Sequence, residues 1–420
     1  MDDKKKEFVF GKDAMKVGVG YSNKRDAFDS GRTAASDAVR NGNINKSDFA
    51  IALCSGQLDH KDFFQGIKKT IGDTPVIGGS TIGIITNDNL SYTGYPSGVA
   101  IFQLDEIKYH IAVAGDLYKD EKLAGFNLAG KLSRTQDDRL LLMFYDSIKV
   151  PASPISPPVI NASPPLIDGI ESALQSNVPI IGAGLIGDYQ FSNTEQFYGS
   201  NVCKQSVVGA LFSGFINVYH TVMHGCSPVD GRYRKITKMQ GSVIYELDGR
   251  PIVEIIDKSY GDQNWREQHP LDLLTIGVNY GDKFQYREDE YINRLITGIL
   301  PDGNGIGIFE PDLEQGMEIQ FMLRDVNMMI ESARNNSESL IKNISDDGKI
   351  PVFGLYIDCA GRTAEKSNTL TEEAAEVQQV MNRYNTPLLG FYSGVEVAPI
   401  LGRSRGLDWT GVLMILAKDK

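Results

Sequence analysis

Apolar and polar positions along this chain form short strand-like runs separated by helix-like segments, and their order recurs three times. In each recurrence a proline is followed by two apolar residues, a glycine and a bend rich in small and polar residues. The three copies are TPVIGGSTIG at 74–83, VPIIGAGLIGD at 178–188 and TPLLGFYSGVE at 386–396. Because three agreeing series of this length rarely arise by chance, the pattern indicates an internal repeat.

The segments around each bend predict the same elements: strand, helix, strand and helix before the bend, and one more strand after it. In the first repeat these are KVGVGYSN, DAFDSGRTAASDAVRN, DFAIALCSG, KDFFQGIKKTI and GVAIFQLD. In the second they are KYHIAVAGD, EKLAGFNLAGKLS, DRLLLMFYDS, LIDGIESALQS and VVGALFSG. In the third they are MEIQFMLRD, VNMMIESARNNSESLIKNI, IPVFGLYIDCAG, TEEAAEVQQVMNRYN and GVLMILAKD. Asp26 is the expected N-cap of the first helix.

This order predicts an α/β fold of mixed sheets with packed helices, built from three related strand-helix-strand-helix-strand repeats in two domains. The predicted units are an N-terminal domain, 1–245, with repeats at about 15–115 and 108–216, and a C-terminal domain, 246–420, with the third repeat at about 317–418. The intervening segment, roughly 218–315, differs from the repeats in its sequence pattern and is predicted to be strand-rich connecting structure. The pattern does not define the strand order.

Composition narrows the classes of function. The 420 residues carry a formal net charge of −12 without a basic run, which disfavours a general nucleic-acid-binding role. No stretch approaches the roughly 18 apolar residues of a membrane span, and MDDKKKEFVFGK lacks the apolar centre of a secretory leader. The four cysteines are widely spaced, without a CxxC pair. Together these features predict a protein of the reducing cytoplasm that binds neither membrane nor nucleic acid.

The glycine bends predict a place where a ligand reaches the backbone. Glycine at a strand end allows a tight bend and close approach to the main chain, and ligands of open α/β sheets usually bind beyond the carboxyl ends of the strands. The candidate contacts are Gly79, Ser80 and Thr81 in the first bend, Gly182 and Gly184 in the second, and Tyr392 and Ser393 in the third. The alternative is that these glycines serve only the tight turns of a repeated fold.

Charged residues near the bends add candidate chemistry. Asp358, Cys359 and Arg362 lie in DCAGR, directly after an apolar strand, where the cation would favour a reactive thiolate. Nucleophilic catalysis also needs a base, and the third repeat contains no histidine, so the alternative for Cys359 is a small buried apolar residue. Asp188 and Glu396 share one register, and together with Arg362 they would suit a zwitterion such as an amino acid. Turn carboxylates or an internal ion pair are the alternative.

Two histidines raise the question of a cofactor. His220 and His224 have the spacing of a metal-binding pair, but the alternation around them predicts a strand and no third ligand is evident. The sequence therefore predicts no metal site and no resident cofactor, with a single axial haem ligand as the alternative. The chain also has no P-loop, GxSxG elbow or HExxH motif.

Four segments in order resemble the FIST family of sensory proteins, named for F-box and intracellular signal transduction. They are PVIGGSTIG, HGCSPVDG to ITKMQGSVIYELDGRP, DCAGR and PLLGFYSGVEVAP. The resemblance covers nearly the whole chain, with the FIST N-terminal domain at about 30–245 and the FIST C-terminal domain at about 246–400. Cys359 and Arg362 match the family's CxGR pattern.

The chain departs from the family pattern at two bends. Where the family usually has GCSTxGE, Gly79 replaces the cysteine and Ile84 replaces the acid. In the last motif, usually GFYxxGE, Val395 replaces the glycine while Glu396 is retained. The first bend therefore does not supply the family's carboxylate.

The resemblance implies a signal-transduction sensor of the cytoplasm that binds a small polar ligand, possibly an amino acid, between its N- and C-terminal parts. No output domain is evident, so the resemblance implies a separate signalling partner such as a kinase, a cyclase or a chemotaxis component. Three alternatives stay open: a hydrolase or transferase that works through Cys359, a haem-binding gas sensor, and a scaffold whose bends are purely structural. The residues do not define the ligand's identity or the oligomeric state.

Overall fold

The computed structural model describes residues 15–153, 156–175 and 177–420. Within these residues the fold is mixed α/β, as predicted, with three six-stranded sheets, one nine-stranded sheet and a two-stranded ribbon. The segment MDDKKKEFVFGK, discussed above as a leader, lies outside the described residues. No helix in the described ranges has both the length and the apolar composition that crossing a bilayer requires.

The first sheet is formed mainly by the first hundred residues. This part of the chain contains β1 (Met15–Ser22), α1 (Ala27–Asn41), β2 (Phe49–Ser55), α2 (His60–Ile71), β3 (Val76–Thr81), β4 (Ile84–Thr86), β5 (Leu90–Ser91) and β6 (Ser97–Leu104). The strand order is β1-β6-β2-β3, with β2 and β3 parallel and the other neighbours antiparallel. Asp26 caps α1, as predicted, because its side chain accepts a hydrogen bond from the Asp29 amide. Helices α1 and α2 approach closely at Gly31, where a Cβ would lie 2.0 Å from the Phe63 carbonyl oxygen.

The second sheet has the same strand order. The part of the chain that forms it contains β7 (Lys108–Ala114), α3 (Glu121–Gly130), β8 (Asp138–Asp146), β9 (Ile148–Val150), β10 (Val159–Ile160), α4 (Ser163–Leu174), β11 (Ile180–Leu185), β12 (Gln196–Gly199), β13 (Asn201–Cys203) and β14 (Val207–Ser213). Strands run in the order β7-β14-β8-β11, with β8 and β11 parallel, while β9 and β10 form the two-stranded ribbon.

The third sheet is interrupted by an insertion. It begins with β15 (Asn217–Met223), after which the chain forms the nine-stranded sheet. The insertion consists of β16 (Cys226–Pro228), β17 (Arg234–Gln240), β18 (Val243–Leu247), β19 (Arg250–Pro251), α5 (Ile252–Tyr260), β20 (Leu274–Asn279), β21 (Tyr291–Arg294), β22 (Ile296–Ile299), β23 (Ile306–Ile308) and β24 (Glu318–Arg324). After the insertion the chain forms α6 (Val326–Asp346), β25 (Lys349–Cys359), α7 (Ala364–Ser367), α8 (Glu373–Arg383), β26 (Leu388–Ser393), β27 (Val395–Ile400), β28 (Arg403–Leu407) and β29 (Gly411–Asp419). The strand order of the third sheet is β15-β29-β25-β26.

The placement predicted for MEIQFMLRD as the first strand of the third repeat is wrong. The segment forms β24, but β24 pairs with β16, β17 and β20 in the nine-stranded sheet. The position beside β29 belongs to β15, which pairs antiparallel with residues 411–417. Alternation of apolar residues identifies a strand but not its neighbour, so the pattern could not separate these two strands. The boundary predicted between residues 245 and 246 falls within β18 and stays a prediction.

Each of the three smaller sheets is completed by a hairpin from another sheet. The hairpin β4–β5 of the first sheet pairs with β26 of the third, where Ile85 lies opposite Gly390. The hairpin β12–β13 of the second sheet pairs with β3, and the hairpin β27–β28 of the third pairs with β11. The three exchanges form a closed cycle, which brings the three glycine bends to one region of the molecule.

The close contacts at these bends predict a large effect of adding one methyl group. A Cβ at Gly182 on β11 would lie 1.8 Å from the Met143 carbonyl oxygen, whereas a Cβ at Gly130 in α3 would meet no atom within 4 Å. We expect Gly182→Ala to lower the free energy of unfolding by roughly 3 kcal/mol, and Gly130→Ala to leave it unchanged or raise it by up to about 1 kcal/mol. Urea denaturation of both variants measures the difference. Equal stabilities would contradict the packing described at β11.

Candidate functional site

The three bends meet through backbone contacts. The Thr81 hydroxyl at the end of β3 donates a 2.9 Å hydrogen bond to the Tyr392 carbonyl oxygen of the third bend. The Gly394 amide of the third bend donates a 2.9 Å hydrogen bond to the Gly184 carbonyl oxygen of the second. The bends therefore join one another directly, as the hairpin exchange requires.

Most of the glycine and hydroxyl residues predicted as ligand contacts are used in this junction. Ser80 is buried, its Oγ lies 2.8 Å from His60 Nε2, and it accepts a 2.9 Å hydrogen bond from the Glu195 amide. Gly79 has φ +152°, and a Cβ there would lie 2.2 Å from the Glu195 carbonyl oxygen. The residues of this junction are Gly79, Ser80, Thr81, Gly182 and Gly184. These contacts agree with the alternative hypothesis given above, in which the glycines serve the turns of the fold.

The two carboxylates that share a register have different surroundings. Asp188 is half-buried, and its Oδ1 accepts hydrogen bonds from the Gln190 and Ser192 amides at 2.9 and 3.1 Å. It therefore organises a turn. Glu396 lies on β27, is fully buried, and accepts a 2.7 Å hydrogen bond from the Ser393 hydroxyl.

Arg362 is engaged in a buried ion-pair network. Its Nε donates to Glu373, and its Nη1 donates to the carbonyl oxygens of Trp409 and His224 at 2.6 and 3.2 Å. Asp358 Oδ1 lies 3.6 Å from the same Nε, and burial together with Glu373 raises the pKa of Asp358 well above its ordinary value. These contacts hold Arg362 in the interior of the protein, and its Nη2 has no hydrogen-bond partner among the described residues. A ligand-binding role for Arg362 stays a prediction.

Tyr392 also faces the interior. Its side chain is buried and its hydroxyl donates a 2.5 Å hydrogen bond to Glu372. Burial, followed by the charge of Glu372, raises the pKa of Tyr392 well above its ordinary value. The hydroxyl therefore stays protonated and acts as a structural donor.

A cavity of about 310 Å³ lies where the second and third bends meet the insertion. Its lining consists of Ile186, Tyr189 and Phe191 after the second bend; His269, Pro270, Asp272, Leu295 and Phe309 of the insertion; and Cys359, Ala360, Gly361, Lys366, Ser393, Gly394, Asp408 and Trp409 of the third part. Of the residues predicted from the sequence, Cys359 and Ser393 line this cavity. Its size and its mostly apolar and aromatic walls are typical of a small-molecule site.

The structure does not favour Cys359 as a nucleophile. Burial, and after it the charge of Glu396, raises the pKa of the Cys359 thiol well above its ordinary value. A thiol in this setting stays protonated at neutral pH, whereas a nucleophilic cysteine needs a stabilised thiolate. His269 of the insertion lines the same cavity, a neighbour that the sequence did not reveal, and its Nδ1 lies 3.3 Å from the Thr297 carbonyl oxygen.

Trp409 is the most unusual residue of the cavity wall. Its backbone has φ +52°, a left-handed conformation that is rare for a bulky side chain and costs about 1 kcal/mol or more. Its ring lies under the Arg324 guanidinium, 4.1 Å from the ring centroid, and a Cβ at Gly361 would lie 2.2 Å from the ring. The glycine of DCAGR thus makes room for the indole. Trp409 Nε1 is buried without a hydrogen-bond partner among the described residues.

Three buried carboxylates lie at and behind the cavity wall. They are Asp408, Glu310 and Glu396. Burial raises the pKa of Asp408 to about 6, and burial together with the charge of Asp408 raises the pKa of Glu310 to about 8. Burial likewise raises the pKa of Glu396 well above its ordinary value. Burial thus favours the protonated, neutral forms of these carboxyl groups.

The two histidines considered as haem ligands have other contacts. His220 on β15 has Nε2 3.1 Å from the Pro399 carbonyl oxygen, and the buried His224 has Nε2 3.0 Å from the Glu288 carbonyl oxygen. Neither residue lines the cavity. Across the described ranges, no three His, Cys, Asp or Glu side chains have the arrangement of a metal site. A haem role for His220 or His224 stays a prediction.

Comparison with known sequences identifies the class of protein. The FIST N domain profile matches residues 48–250 and the FIST C domain profile matches residues 254–399. The chain belongs to the FIST family, whose domains are associated with sensors of signal transduction.

Relatives of this chain are about a quarter identical to it over the aligned residues. An uncharacterised protein of Methanocaldococcus jannaschii is 23% identical over 389 residues, which cover 86% of this chain and 67% of the relative. An uncharacterised protein of Mycobacterium tuberculosis is 24% identical over 245 residues, which cover 57% of this chain and 61% of the relative. The similarity thus spans about two thirds of these relatives' own length.

Solved structures give only remote similarity. PurLQS from Thermotoga maritima aligns with 6% identity and a TM-score of 0.23, over 96% of this chain and 72% of the other. Phosphoribosylformylglycinamidine synthase II from Thermotoga maritima aligns with 10% identity and a TM-score of 0.22, with the same coverage. Both TM-scores are too low to support an inference about fold or function.

The buried position of Glu310 predicts a dependence of stability on pH. Because the pKa of Glu310 is raised to about 8, folding favours its protonated form, and this contribution is lost as pH rises from the ordinary pKa of 4.5 to about 8. Arg294, Asp312 and Asp408 are the charged groups around it. In Glu310→Gln the loss is absent, so the stability of the variant relative to the parent should increase by roughly 1–3 kcal/mol between pH 5 and 8.

Urea denaturation at several pH values measures this difference. Asp168→Asn is the matched control, because Asp168 is an exposed carboxylate that accepts a surface hydrogen bond from Arg403. Its stability relative to the parent should change little over the same pH range. The same increase in both variants, or none in Glu310→Gln, would contradict the position of Glu310 in the buried cluster.

Proposed function

We propose that this protein is a sensor that binds a small molecule in the cavity between the second bend, the insertion and the third sheet. The observation that supports this most is the joint construction of the cavity. Ile186, Leu295 and Trp409 come from three separate parts of the chain, and all three line it. A ligand that contacts all three parts stabilises the arrangement in which they lie together, and such differential binding shifts a conformational equilibrium.

The walls of the cavity suggest the general chemistry of the ligand. Aromatic and aliphatic side chains suit an apolar body, and the unpaired Trp409 Nε1 and Asp408 Oδ1 offer one donor and one acceptor. Lys366 lies at the exposed side, with its Nζ 4.3 Å from the centroid of the Tyr189 ring. Both signs of charge are thus present for a zwitterion, through Lys366 and Asp408 instead of Arg362 and Glu396. An amino acid with an apolar side chain fits this description.

Signalling is proposed to pass to a separate protein in the cytoplasm, such as a kinase, a cyclase or a chemotaxis component. The association of FIST domains with sensors supports this step. A cysteine-dependent hydrolase or transferase has less support, because the Cys359 thiol is held in its protonated form. A gas sensor would need a free axial ligand beside an open pocket. His220 lines a separate cavity of about 400 Å³, but its Nε2 lies 3.1 Å from the Pro399 carbonyl oxygen, and His224 is fully buried.

A thermal-shift screen of amino acids and related metabolites tests the proposed function. A ligand at 100 times its Kd should stabilise the protein by roughly 2.7 kcal/mol and raise its Tm by several degrees. Trp409→Phe keeps an aromatic ring but removes the unpaired donor, so we expect affinity to fall roughly 5- to 30-fold. Tyr118→Phe, which removes a hydroxyl from an exposed ring, is the control and should bind as the parent does. A flat response across the series would count against the proposal.

A further inference from the structure

We propose that the cavity recognises its ligand through a primary ammonium group bound by Asp408, with Glu310 and Glu396 buried behind it, so that the ligand belongs to the class of small amines with an apolar body. This inference rests on the proposed function, since it concerns the same cavity. It goes further by assigning the group that is recognised and by making a carboxylate on the ligand unnecessary.

The three carboxylates share one arrangement: one oxygen is held by the protein and the other is left unpaired. Asp408 Oδ2 accepts a 3.0 Å hydrogen bond from the Leu295 amide, and Glu310 Oε2 accepts a 3.2 Å hydrogen bond from the Ser163 amide. Glu396 Oε1 accepts the bond from Ser393 described above. The remaining oxygens, Asp408 Oδ1, Glu310 Oε1 and Glu396 Oε2, are buried without a hydrogen-bond partner among the described residues. Asp408 Oδ1, on a residue of the cavity wall, can accept a hydrogen bond from the ammonium group of a ligand.

Asp408 is the one of these three residues that lines the cavity, while Glu310 and Glu396 are connected to its wall through neighbours. Ser393 lines the wall while holding Glu396, and Phe309, the neighbour of Glu310 in sequence, lines it as well. The charge of Asp408 raises the pKa of both Glu310 and Glu396, so the three carboxyl groups act on one another. A cationic end that enters beside Asp408 favours the ionised forms of these groups over their protonated forms.

The protein's own cations offset this cluster only in part. Arg294 donates two hydrogen bonds to Asp312, of 2.6 and 2.5 Å, and its Nη1 forms a longer ion pair with Asp408 Oδ1 at 3.9 Å. Arg362 is paired with Glu373. Burial raises the pKa of Asp408 and Glu310 in spite of Arg294, so a cationic ligand gains from relieving that penalty. A metal ion is less suitable, because these side chains do not form a group with metal-site geometry in the described part of the chain.

The proposal is tested with three probes that share a phenyl group and differ in charge: phenethylamine, 2-phenylethanol and phenylacetate. Isothermal titration near pH 7.5 should show phenethylamine binding at least about tenfold more tightly than 2-phenylethanol, with phenylacetate weakest. In Asp408→Asn the affinity for phenethylamine should fall about tenfold or more, while that for 2-phenylethanol changes less than about twofold. Titration in two buffers of different ionisation enthalpy should show that phenethylamine releases protons and 2-phenylethanol does not.

Glu310→Gln separates a loss of binding from a loss of folding. It keeps the neutral form that burial favours at this position and cannot ionise, so the variant should fold and still lose affinity for phenethylamine. Asp168→Asn should bind phenethylamine as the parent does. If 2-phenylethanol or phenylacetate binds as tightly as phenethylamine, the ammonium proposal is overturned while binding in the cavity stands. If none of the three probes binds but the metabolite screen finds a ligand sensitive to Trp409→Phe, the amine class is overturned and the sensor function is retained.

Discussion

Backbone pairing between hairpins and sheets of different parts of the chain is the constraint on which this structure depends. None of the three smaller sheets is complete without a hairpin from another, since β3, β11 and β26 each pair with one. One apolar core contains Val17, Leu142, Ile276 and Leu355, residues of all three sheets and of the insertion. The parts that line the cavity are therefore held together by the same contacts that stabilise the fold, which gives the proposed site a direct route to the whole molecule.

The cavity lies where the second and third bends meet the insertion. The bends pack on one another through Thr81 and Gly184, and the insertion covers the remaining face with Leu295 and Phe309. Two features there are unfavourable for the protein alone: the left-handed Trp409 and the unpaired buried carboxylates. Unfavourable features that persist beside a cavity are typical of binding sites, where the ligand supplies the missing interactions.

Sequence patterns predicted much of this architecture because helices and strands follow local periodicity. The α/β class and the cap at Asp26 follow from such local signals. The pairing of β15 with β29 does not, since alternation carries no information about neighbours. Asp408 and Trp409 were missed because GLDWTG has no counterpart in the repeat, and their role depends on the insertion. The ion pair of Arg362 with Glu373 was also missed, because Glu373 comes from α8, whose packing the sequence does not show.

Alkylation of Cys359 in the presence of ligand tests the central claim most directly, since this thiol lines the cavity. Mass spectrometry can follow iodoacetamide labelling of Cys359, with the half-buried Cys203 and the fully buried Cys54 as references for the surface and for global opening. A bound amino acid or phenethylamine should slow the labelling of Cys359 about tenfold more than that of Cys54, and leave Cys203 unchanged. A compound that raises the Tm but leaves Cys359 as reactive as before would show that the ligand binds elsewhere and would contradict the account.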